Sequence, residues 1–129
     1  MRRRAKNVLA VIAVVLVLAG STFAHHGLSA YDEKNPLTLK GTVTEFAWSN
    51  PHSQIYFDVK DDKGNVAHWA CETLGPARLL RAGWTRHSLK PGDQITISLI
   101  AAKSGAPVGF LRKLVLADGT ELGVNQLEQ

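Results

Sequence analysis

Five histidines are the residues best suited to chemistry in this sequence, and two of them are adjacent, His25-His26. They follow Phe23-Ala24, so a chain cut after Ala24 begins at His25. A terminal histidine presents a free α-amine and an imidazole nitrogen from one residue, and together these chelate one metal ion. The amine titrates near ~7.7–8.0, so a metal displaces its proton at neutral pH. A third nitrogen completes a T-shaped set that suits copper(II), which favours tetragonal nitrogen coordination. His26 offers a further imidazole and a nearby amide. His52 is the best third ligand, because Asn50-Pro51-His52 is a loop in which proline lowers the entropy cost of holding one geometry. His68 is the next candidate, on an expected strand that it shares with Ala70 and Glu72, and His87 reads as a surface residue. Against the metal stands a plainer reading: a solvated histidine tail, and a His52 that only bonds a loop carbonyl.

Aromatic residues are the second candidate set. Trp48, Tyr56, Trp69 and Trp84 are many for so small a body. Trp48, Asn50 and Tyr56 are the expected ligand-binding residues, with the rings as a stacking platform for an extended ligand. Trp69 and Trp84 are expected in the core. Signatures of established enzyme classes are missing: there is no Cys-x-x-Cys, no His-Glu-x-x-His, no Gly-x-Ser-x-Gly and no Gly-x-x-x-x-Gly-Lys.

The elements that must position these residues begin with an export segment. Arg2, Arg3, Arg4 and Lys6 precede an apolar run from Val8 to Ala19, and small residues follow at Thr22 and Ala24. This is the charged, apolar and small-residue order of a signal peptide, and the run is short of the about 20 apolar residues that span a bilayer. Residues 1–24 are read as a signal cleaved after Ala24, which implies a periplasmic protein that meets the membrane only during export. The whole 129-residue chain carries 15 basic and 11 acidic residues. The signal holds four of those bases and none of the acids, so the exported body is near neutral. That argues against nucleic acid, which is met with a clustered basic surface. The single cysteine, Cys71, permits no intrachain disulfide and reads as a small buried apolar residue.

Residues 25–36 read as an extended N-terminal arm, 37–123 as one domain and 124–129 as a polar tail. Within the domain, Leu37 to Trp48 is a strand interrupted by Gly41, which marks a bulge or bend. Ser53 to Lys60 alternates apolar and polar, Asp61-Asp62-Lys63-Gly64-Asn65 turns, and Val66 to Glu72 returns. Pro76 to Gly83 has proline near a helix start and glycine at its end. Strands follow at Gln94 to Ala101 and Gly109 to Ala117, with a short return through Glu121-Leu122. Three strands, a short helix and then further strands give an all-β fold with one helix: a small five-stranded barrel of the oligonucleotide/oligosaccharide-binding (OB) type.

Ala24-His25-His26-Gly27, Leu39-Lys40-Gly41-Thr42-Val43, Trp48-Ser49-Asn50-Pro51-His52, Gly83-Trp84 and Leu89-Lys90-Pro91-Gly92-Asp93 together resemble an uncharacterised family of small exported bacterial proteins, a domain of unknown function. The chain departs from it in Gly27, where serine is expected. The resemblance covers nearly the whole body and implies fold and compartment without an activity. The terminal histidine resembles the histidine brace of copper oxygenases and copper carriers. The leading expectation is therefore a periplasmic, non-enzymatic binding module holding copper through His25, His26 and His52. A metal-free adaptor for a protein segment or small ligand around Trp48 is the alternative, and a small copper-dependent oxidative enzyme is the third.

Overall fold

A computed structural model describes residues 28–124. The export segment, His25, His26 and the tail from residue 125 lie outside the described residues. The chain divides into two units, Met1–Ala30 and Tyr31–Gln129, and the account below concerns the second.

Among the described residues the strands are β1 (Leu37–Ala47), β2 (Gln54–Lys60), β3 (Val66–Glu72), β4 (Gln94–Ala101), β5 (Val108–Leu116) and β6 (Glu121–Gly123). One helix, α1 (Pro76–Arg81), lies between β3 and β4. The antiparallel order is β3-β2-β1-β4-β5-β6, and a parallel pairing of β3 with β5 closes it into a barrel. Five strands closed in this order, with a helix after the third, make the OB-type barrel; β6 is an added strand on β5.

Closure depends on β1 serving two neighbours. Its first half, Leu37 to Thr42, pairs with β4, and Thr42 to Ala47 pairs with β2. Gly41 sits at the handover. A Cβ there would stand 2.7 Å from the Asp58 carbonyl oxygen and 2.8 Å from Phe57 Cδ2, so only glycine lets the two strands approach. The bulge itself falls two residues later, between Val43 and Glu45, where Thr44 is the extra residue.

Alternation then sorts the side chains. Val43, Ile55, Phe57, Cys71, Ile95, Ile97, Leu99, Leu111 and Leu114 turn inward and are buried. Leu79 of α1 and the fully buried Trp84 close one end of this core. Trp69 stacks on Phe57 at 6.3 Å and is half-buried against the core. Val124, where the polar tail is expected to start, instead packs into the core, as its apolar side chain favours. The arm does not run free to Leu37, because Tyr31 forms a β-bridge with Ala102 and the Asp32 amide donates to the Ala101 carbonyl at 2.9 Å.

Cys71 is wholly buried on β3, and burial, followed by the charge of Glu72, pushes its thiol well above the usual range. The folded protein at pH 8 is therefore expected to leave an aromatic disulfide reagent unreacted, with one thiol appearing only on unfolding in urea. Immediate stoichiometric reaction of the native protein would contradict this burial.

Candidate functional site

The loop from Trp48 to Ser53 joins β1 to β2 and carries the Asn-Pro-His bend. The Ser49 hydroxyl donates to the His52 carbonyl at 2.9 Å, and the Ser49 amide donates to Ser53 Oγ at 3.3 Å. Ser53 is buried; its amide donates to the Leu74 carbonyl and its carbonyl accepts from the Thr73 amide. The Asn50-Pro51 peptide is cis. Gly75, the residue before α1, lies under the bend so closely that a Cβ would stand 2.6 Å from the Pro51 carbonyl oxygen. The bend is thus held from both sides by backbone of the segment that follows β3.

His52 is paired across this junction. Its Nδ1 hydrogen-bonds Glu72 Oε1, at the end of β3. A carboxylate only accepts, so Nδ1 carries the hydrogen, and in the neutral ring Nε2 keeps its lone pair. The His52 side chain is 48% exposed and that of Glu72 28%, so the imidazole is held on its inner edge and open on the other. Metal-binding histidines are oriented in this way, by a carboxylate on the nitrogen that does not ligate. At Tyr31, burial first, and then the Glu72 and Cys71 charges, push the phenol above its ordinary range.

His68 forms a second pair of the same kind, with Nδ1 2.6 Å from Asp58 Oδ1. It shares a face of β3 with Glu72 but stands four residues away, roughly 13 Å along the strand. The structure thus keeps His68 apart from His52. His87 is exposed in the turn after α1, its amide bonded to Thr85 Oγ1. Among the described residues no three His, Cys, Asp or Glu side chains stand together as a metal-holding group. His52 and Glu72 stand there as a hydrogen-bonded pair.

The expected aromatic platform is divided. Trp48 packs edge-on against Phe46, with ring centroids 5.7 Å apart, and both rest on the core. Tyr56 points from the outer face, where its β2 position pairs with Glu45 of β1 and Ala70 of β3. Asn50 is exposed in the bend. Sequence reasoning missed Glu72 and Asp58 as histidine partners. The hairpin register contains both: a turn between Lys60 and Val66 sets Asp58 opposite His68 and brings Glu72 opposite Gln54, two residues past His52.

A model of the family described as "Family of unknown function (DUF6152)" matches residues 12–111. The chain belongs to DUF6152. No curated protein matches the DUF6152 sequence. Among solved structures, it is similar to the mitochondrial single-stranded DNA-binding protein Rim1 of S. cerevisiae, at TM-score 0.50 and 9% identity over 64% of this chain and 93% of that one. It is also similar to a ZRD-deleted mutant of TiaS in complex with agmatine, at TM-score 0.43 and 21% identity over 70% of this chain and 24% of that one. At such identities the first likeness speaks for the fold alone. This DUF6152 protein is a small β-barrel with a carboxylate-held histidine at its rim.

Proposed function

We propose that this protein is a periplasmic binding module that holds one transition-metal ion, copper(II) before others, between its mature N-terminus and the rim of the barrel. His25 supplies the α-amine and one imidazole nitrogen, His52 supplies Nε2, and His26 assists. Glu72 does not ligate; it fixes the tautomer and direction of the His52 ring. The observation that carries the reading is the His52–Glu72 pair, which occupies Nδ1 and leaves Nε2 as the remaining ligating nitrogen of a half-exposed ring. Chain length is compatible with it. Six residue steps separate His25 from Tyr31 and reach at most about 20 Å.

Calorimetric titration with copper(II) of the exported protein, its terminus verified by intact mass, tests this. His52→Ala is expected to weaken binding by about 100-fold. Glu72→Gln, which keeps the shape and loses the charge, is expected to weaken it by about 10-fold. Equal affinity in all three proteins would remove the bend from the site. A mature chain beginning at any residue other than His25 would remove the terminal chelate.

A further inference from the structure

The outer face of β1–β3 carries a second surface, away from the bend. Thr44, Glu45, Tyr56, Asp58, His68 and Trp69 are among the residues lining an open groove of about 410 Å³. The β1 bulge makes it: the extra residue, Thr44, shifts the register so that Glu45 comes to lie opposite Tyr56. Bulges of this kind re-aim side chains beside binding sites. Tyr56 is 37% exposed, large for a ring in the middle of a sheet. Glu45 is exposed, and its side chain has no hydrogen bond or ion pair among the described residues. Asp58 gives one oxygen to His68 and keeps the other. Lys60, two residues beyond Asp58 along β2 on the same face, lines a neighbouring concavity with Lys40 and with Asp58 itself, whereas Glu45 lines the groove only.

One border of the groove is an open strand edge. β3 pairs with β5 only through Ala70 to Glu72, so Val66 to Trp69 have β2 on one side and no strand on the other among the described residues. The Ala70 amide turns away from β2, toward the Pro107 carbonyl at 3.1 Å. By strand alternation, the backbone groups of Val66 and His68 turn to the same open side.

We propose that this groove and edge dock an extended, lysine- or arginine-bearing segment of a partner protein. The segment adds beside Val66–Trp69 by main-chain hydrogen bonds, which supply affinity without sequence demand. Alternate side chains then lie over the groove, where Glu45 and the free Asp58 oxygen meet a cation and the Tyr56 ring faces it. A single-stranded nucleic acid needs the opposite sign of charge on such a face. The surface is distinct from the His52 bend, so the proposal stands whether or not a metal binds there.

The test is a titration of the full chain, followed by amide chemical shifts, with a capped nine-residue peptide alternating lysine and valine. Saturable binding is expected, with shifts concentrated at Glu45, Tyr56 and Val66 to Trp69, and weakening as salt rises. Glu45→Gln and Asp58→Asn are each expected to weaken it about 2- to 5-fold, the range of exposed ion pairs. Glu121→Gln, which changes net charge equally on β6, is expected to leave it unchanged, and matching melting temperatures verify folding. The proposal is overturned by absence of saturable binding, by shifts elsewhere on the barrel, or by equal weakening in Glu121→Gln. Tighter binding of a glutamate–valine peptide or of a nine-nucleotide oligothymidylate would also overturn it.

Discussion

Trp84→Ala is expected to remove about 3–5 kcal/mol of folding stability, the range for truncating a large buried aromatic. Trp84 is fully buried and does three things at once. Its amide donates to the Leu79 carbonyl at 2.9 Å, which terminates α1 against the barrel. Its indole rests near Phe46, with centroids 6.0 Å apart, and so joins the helix end to the end of β1. Its Nε1 donates to the Gly123 carbonyl at 3.1 Å, which ties β6 and the chain end to the core. Alanine leaves a cavity under α1 and an unpaired carbonyl on Gly123. Small domains hold roughly 5–15 kcal/mol in all, so the variant would approach unfolding at ambient temperature, with a melting point lower on the order of 20 °C. Urea unfolding followed by circular dichroism measures this. A loss below about 1 kcal/mol would contradict the role given to Trp84.

Gly75→Ala is expected to disturb folding and site together. The new methyl would stand 2.6 Å from the Pro51 carbonyl oxygen, which is backbone and cannot rotate away. Either α1 or the bend must shift, at a cost of about 1–3 kcal/mol. The bend carries His52, so its ring would move relative to Glu72, and copper(II) affinity is expected to fall about 10-fold beyond any effect on folding. The control is an exposed alanine substitution in the same helix, Leu80→Ala, which should leave copper affinity unchanged. Unaltered stability and affinity in Gly75→Ala would mean that the bend does not depend on this close approach.

Much of the barrel is written in local patterns. The span of β3, Val66–Glu72, and that of β4, Gln94–Ala101, follow directly from alternation bounded by turn residues. The helix lies where proline and glycine bracket it, and Gly41 marks the place where β1 changes partner. The bulge at Thr44 could not be read, because a one-residue slip between neighbouring strands depends on both partners and leaves no mark on β1 alone. The same holds for the parallel β3–β5 closure, which joins segments almost forty residues apart. His52 is legible as an exposed histidine in a proline-held loop. Its partner is not, because Glu72 reads as the polar end of a strand until the hairpin register places it by the bend. Trp48 and Tyr56 look equivalent in sequence. Trp48 follows the end of β1 and packs on Phe46 against the core, whereas Tyr56 takes an outward position of β2.

The most direct measurement compares copper(II) affinity of the exported protein beginning at His25 with that of the same protein acetylated at its His25 α-amine. Acetylation turns that amine into an amide, adds no new amine and leaves every side chain in place. Affinity about 100-fold weaker in the acetylated protein, with unchanged melting temperature, is the predicted result. Equal affinity in the two proteins would show that the first residue of the mature chain does not grip the metal.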